Sequence, residues 1–215
     1  MTRTRYAPPP LPVLLGALVL PVAGAVLFAT TDVGRVSLQM VEHLLVMNVL
    51  APLAAVLLTR SRSPLGDGTR ALWPLASVQV ALLWAWHAPA LQRAATDAPL
   101  LHWGMTAALA LAALAFWIAV LDAAGTARWS AVLALLLTGK LACLLGALMI
   151  FAPRDLYGLP GAVMALCTIG PSSLADQQLA GLLMITACPL SYVVAGTALA
   201  ARALLDLDRA STASG

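Results

Sequence analysis

PLLHWGMTAALALAALAFWIAVL, residues 99–121, runs without a Lys, Arg, Asp or Glu. As a helix it would rise about 34 Å at 1.5 Å per residue, enough to cross the roughly 30 Å hydrocarbon core of a bilayer. The rest of the chain is of the same kind. Of its 215 residues 61% are hydrophobic and 10% charged, against roughly 25% charged in an ordinary soluble domain. Mean hydropathy is +0.92. These values exclude a soluble globular domain and point to an all-α integral membrane protein.

Working outward from 99–121, comparable apolar stretches occur at about 10–30, 36–59, 71–90, 129–152 and 177–202, each bounded by charged, Pro or Gly residues. The expected fold is one bundle of about six transmembrane helices, seven at most, in a single domain over residues 1–209. Residues 159–172, LPGAVMALCTIGPS, are apolar but too short to span and are bracketed by Pro and Gly, so they are read as a loop with a re-entrant or interfacial helix. Residues 210–215 are read as a disordered polar tail. The first apolar stretch, which follows MTRTRYAPPP, is long for a signal peptide and lacks a clear cleavage site, so it is kept as a span.

Positive residues are retained in cytoplasmic loops. Placing both termini inside puts Arg3, Arg5, Arg60, Arg62, Arg70, Arg128, Arg202 and Arg209 on the inner side and only Arg35, Arg93 and Arg154 outside. The sequence pI near 9.1 then reflects membrane orientation, with no nucleic-acid surface implied. Trp84, Trp86 and Trp103 at the outer ends, and Trp73 and Trp129 at the inner ends, suit interfacial aromatic belts. Cys143, Cys167 and Cys188 form no CxxC pair and read as small buried apolar residues.

All three histidines, His43, His87 and His102, fall near the outer end of their spans, although those spans run in opposite directions. His43 lies roughly 10 Å deep, with Met40 three residues before it and Met47 four after, on one helical face. Imidazole between thioethers suits copper, particularly Cu(I), although such a stripe is as readily packing. Neighbouring Glu42 is expected to face the bundle, pairing with Lys140 or Arg35 or orienting a ligand; an ion pair that fixes helix register fits equally well. His87 immediately precedes the Ala88-Pro89 step that ends its helix, which predicts exposure at the outer interface. His102 opens the next span, with Met105 three residues on, and the short connection 92–98 makes the two helices antiparallel neighbours. At the start of the last span, Asp176 is either an N-cap or a carboxylate that holds a ligand histidine by its other ring nitrogen; Gln177 adjoins it. Pro52 and Pro189 are expected to kink or loosen their spans, and Gly181 to permit close packing.

Three blocks, residues 39–53 (QMVEHLLVMNVLAPL), 86–102 (WHAPALQRAATDAPLLH, continuing to Phe116-Trp117) and 176–184 (DQQLAGLLM), together resemble the polytopic CtaG family of cytochrome c oxidase assembly factors, associated with caa-type oxidases and copper supply. The resemblance covers most of the chain after about residue 36. It implies an assembly role at the outer face of the bacterial inner membrane, in forming a copper centre of the oxidase, with oxidase subunits or other assembly factors as partners. It carries to His43, His87, His102, Asp176 and Gln177. The chain departs from the family where Gln39 and Thr106 stand at positions that are often histidine.

The resulting expectation is a non-enzymatic factor that holds copper transiently through His43, His87 and His102, with Met40, Met47 and Met105 as auxiliary ligands and Glu42, Asp176, Gln177 and Lys140 as polar partners. Two alternatives stand beside it. One is a metal-free scaffold for an oxidase subunit; the other is a haem b- or quinone-binding electron carrier, since paired intramembrane histidines ligate b-type haem. No serine or cysteine sits beside a histidine as a hydrolytic nucleophile would.

Overall fold

A computed structural model describes residues 34–60, 69–157 and 173–213. The expected first span at 10–30, the segment 159–172 and Cys167 lie outside the described residues. Within them the chain is helical throughout, as the composition required: α1 (Arg35–Arg60), α2 (Thr69–Trp86), α3 (Pro89–Asp97), α4 (Pro99–Asp122), α5 (Ala127–Phe151) and α6 (Ser173–Ala213). No strand occurs among the described residues.

Four of these helices, α1, α4, α5 and α6, are long and apolar enough to cross a membrane. The expected third span, 71–90, is instead the 18-residue α2, which ends at Trp86 and carries Arg70 and Gln79. The described residues therefore hold four helices of spanning length and composition, fewer than the six expected, and the remaining expected span at 10–30 lies outside them. The connection between α2 and α4 is itself a helix, α3. Pro89 and Pro99 each occupy the opening turn of their helices, where a missing N–H costs nothing. At the other extreme of the chain α6 runs on to Ala213, through most of the segment expected to be a disordered tail.

The bundle is held by small-residue contacts and by polar links between helices. The buried face of α5 includes the small residues Ala131, Ala134, Thr138, Gly139, Ala142 and Gly146, which let α6 approach closely. The crossing is tightest where Gly146 meets Gly181: a Cβ built on Gly181 would stand 2.7 Å from the Gly146 carbonyl oxygen, and one on Gly146 would stand 2.9 Å from that of Gly181. Deeper in the bundle, Gln79 of α2 donates to the Tyr192 hydroxyl of α6 at 2.6 Å, and the Tyr192 ring stacks on Trp117 of α4 at 5.5 Å. Arg128 and Asp206 pair at the end of α5 and α6 remote from the histidines.

Two of the helix-interior prolines, Pro52 and Pro189, leave orphan carbonyls, and a neighbouring helix claims a carbonyl beside each. Ahead of Pro52, α1 widens into a π-turn over Val46–Leu50, with the Ala51 N–H bonded to the Val46 carbonyl. In that frame Pro52 has no N–H to give the Met47 carbonyl. The Trp117 indole N–H donates to it instead, at 3.0 Å. Likewise Pro189 cannot bond the Ile185 carbonyl, and the Cys143 thiol lies 3.9 Å from that oxygen. Cys143 therefore has a polar duty beyond its expected packing role, while Cys188 is buried.

Replacing Gly181 by Ala should lower stability by about 1–3 kcal/mol through overpacking at the α5–α6 crossing. Thermal unfolding in a mild detergent reads this as a lower Tm, whereas Gly104→Ala, where an added Cβ meets nothing within 4 Å, should leave Tm nearly unchanged.

Candidate functional site

The order and direction of the helices bring the start of α1, the end of α2 and the start of α4 to one end of the bundle. His43 and His87 meet there with ring centroids 5.7 Å apart, edge to face. Trp86 packs against His43 at 5.2 Å and against His102 at 5.2 Å, so the indole sits among the histidines. Trp86 is 1% exposed, which removes it from the interfacial belt in which it was expected. Trp103 is 66% exposed.

His87 was expected at the surface and is buried. The ring turns inward, toward His43. Its Nδ1 lies 2.7 Å from the Leu83 carbonyl oxygen. A carbonyl only accepts, so Nδ1 carries the proton and Nε2 keeps a free lone pair. His43 is 2% exposed, and neither ring nitrogen has a hydrogen-bond partner. A buried imidazole always has at least one N–H, and leaving it unsatisfied costs about 1–3 kcal/mol. His102 is partly exposed, its Nε2 3.9 Å from a Glu42 carboxylate oxygen. Glu42 therefore faces His102; Lys140, one of the two cations expected beside it, is exposed on α5.

Met40 and Met47 are each 2% exposed and share the inward stripe of α1 with His43. Met105 is half-buried on α4. Among the described residues no group of three or more His, Cys, Asp or Glu side chains is placed to hold a metal ion. The geometry joins His43 to His87 directly and brings His102 alongside through Trp86.

Asp176 has neither of its expected duties. It lies in the first turn of α6 and caps a different helix: its carboxylate accepts from the backbone N–H of Val36 at 2.8 Å and of Ser37 at 3.1 Å. The Ser37 hydroxyl donates back to the Asp176 carbonyl at 3.0 Å. A carboxylate at a helix N-terminus satisfies orphan donors and complements the macrodipole. Gly34 makes the approach possible, since a Cβ there would overlap the Asp176 carboxylate. Gln177 is fully buried; it donates to the Met149 carbonyl at 2.9 Å and accepts from the Leu156 N–H at 2.8 Å. Next to Leu156, the Tyr157 hydroxyl donates to the His87 carbonyl at 2.9 Å. Burial, and then the Asp155 carboxylate, pushes that phenol up to about 12, so at neutral pH it remains a donor.

Gly34, Ser37, Trp86 and Tyr157 are the residues that sequence reasoning missed as parts of this site. Trp86 was visible beside His87, but only its burial distinguishes it from a belt tryptophan. The partners of Gly34 and Tyr157 lie far along the chain.

Fold and site together define a polytopic helical protein with a buried histidine pair at one end. A family model, cytochrome c oxidase caa3 assembly factor (Caa3_CtaG), matches residues 13–205; the chain belongs to this family. No curated protein and no solved structure matches the chain.

Asp176→Ala and Gly34→Ala should each cost about 1–2 kcal/mol, the usual worth of a lost cap. Because both remove the same interaction, the double variant should lose little more than the worse single one, as read by Tm in detergent. His43→Leu removes the orphan nitrogens and should leave Tm unchanged or raise it.

Proposed function

We propose that the chain is a multi-pass protein of the bacterial inner membrane, both termini cytoplasmic, that helps form a copper centre of a caa3-type oxidase at the outer face. Membership of the assembly-factor family supports the oxidase role, four apolar helices support the membrane location, and the Arg asymmetry supports the orientation. The observation that carries the copper reading is the buried histidine pair: two unpartnered nitrogens on His43 beside a His87 whose Nδ1 bond leaves Nε2 available. These residues fit a copper cargo. Nδ1–H donation to a carbonyl is the usual way a protein fixes the ligating tautomer.

In this reading His43 and His87 hold the ion, with Met40 and Met47 as soft auxiliary donors from the same buried stripe. His102, partly exposed and beside Glu42, stands nearer the surface and receives or passes on the ion. Few exchangeable ligands suit delivery better than a closed site. Met105 is a further donor candidate on the His102 helix. No bond of a substrate is made or broken, so the chain acts without catalysis, and its partners are oxidase subunits or other assembly factors.

A metal-free scaffold remains the second reading, favoured by the absence, among the described residues, of a cluster of three or more metal-binding side chains. Protein purified in mild detergent from copper-replete cells separates the two. The delivery reading expects about one copper per chain, lost from His43→Ala and His87→Ala variants and reduced in His102→Ala. No copper in the native protein, with oxidase maturation undisturbed by the triple alanine variant, would favour the scaffold.

A further inference from the structure

α5 turns a stripe of apolar side chains away from the bundle: Leu133, Leu137, Leu144 and Leu148 are each half or more exposed. Lys140 lies in the middle of that stripe and is itself exposed. It stands about 20 Å along the helix from Ala127 and about 16 Å from Phe151, at 1.5 Å per residue. A lysine side chain of roughly 6 Å snorkels to the interface only from near a helix end. At mid-depth the ammonium is costly unless a carboxylate meets it.

Among the described residues no acid forms an ion pair with Lys140. Glu42 meets His102, and Asp206 meets Arg128 and Arg209; Lys140 is in none of these pairs. Glu42, the acid inside α1, lies toward the histidine end and faces His102. Asp32 and Asp67, the two acids outside the described residues, stand two residues before Gly34 and Thr69 in the sequence. The apolar stretch 10–30 contains no acid, so its packing anywhere would leave the charge unmet.

We propose that the outward face of α5 docks a membrane-spanning helix of another polypeptide that carries an Asp or Glu at mid-depth, paired with Lys140. The proposal rests on the assembly-factor reading for the kind of partner, an oxidase subunit. Lipid phosphate lies at the interface, out of reach. A second copy related by a two-fold axis along the membrane normal would set Lys140 against Lys140.

A benzophenone side chain placed at Leu144, one turn from Lys140, tests this by irradiation in membranes of cells that assemble the oxidase, with the adduct peptide mapped by mass spectrometry. The expected adduct lies in a membrane-spanning segment of another protein, within a turn of an Asp or Glu. Its yield should fall about three- to tenfold in Lys140→Leu, hold in Lys140→Arg, and return in Lys140→Glu when the partner's acid is changed to lysine. Lys140→Leu should reach the membrane at undiminished level with undiminished Tm, which removes misfolding as the cause. An adduct to a second copy, to lipid alone or to a helix without a mid-span acid overturns the proposal, as does a yield indifferent to Lys140→Leu. Oxidase maturation in cells lacking the chain is scored alongside. A normal oxidase there sinks the assembly reading alone, whereas a maturation defect with a Lys140-independent adduct sinks the docking proposal alone.

Discussion

An unpaired N–H is hardest to leave where water is scarce, and α1 begins with such donors at the end of the bundle where the histidines gather. The Asp176 carboxylate takes two of them, and most of the site's geometry descends from that bond. By capping a helix other than its own it pins α1 to α6 at one depth, and so fixes where His43 sits two turns further on. Its neighbour Gln177 ties α6 to the end of α5 and to Leu156. Tyr157 then reaches the carbonyl of His87. Consecutive residues of one helix turn therefore anchor both members of the histidine pair, one through α1 and the other through the segment after α5. Asp176 and Gln177 are positioning residues: neither touches an imidazole.

The same accounting explains the helices between. Pro52 could not be tolerated in a regular α1 without stranding a carbonyl, so the helix widens into a π-turn and Trp117 closes the gap. Cys143 approaches the carbonyl that Pro189 frees. At Pro52 and Pro189 the irregularity becomes an interhelical contact, which in a bilayer is the condition for keeping a proline inside a span. Several buried polar atoms among the described residues stay unpartnered, those of Gln39, Trp86 and Thr106 among them, and His43 is the residue with two. It is buried beside a π-turn with both nitrogens unpartnered, a cost the fold carries without structural return.

Much of the architecture was legible from the sequence. Apolar stretches with few charges predicted α1, α4, α5 and α6, because spanning length and backbone satisfaction leave no other structure. That the histidines share one end followed from their places near alternate ends of antiparallel spans. Side-chain partners were less legible. Periodicity placed Asp176 at a helix start but could not show that its carboxylate crosses to α1, because the decisive neighbour is Gly34. Pro89 correctly ended α2, yet the inference that His87 is therefore exposed failed because its ring turns inward onto His43 and the Leu83 carbonyl. Glu42 was expected to seek a cation such as Lys140, whereas helix packing puts His102 within its reach and turns Lys140 outward.

The histidine end and the outward face of α5 thus have separate duties in the account, one toward copper and the other toward the recipient protein. Central to it is that copper is held by the His43–His87 pair. Copper-edge X-ray absorption on protein loaded with Cu(I) measures this most directly. The account predicts about two nitrogen neighbours with the outer-shell scattering of imidazole, lost when His43 is replaced. A shell made only of sulfur, or imidazole scattering unaltered by that replacement, would contradict it.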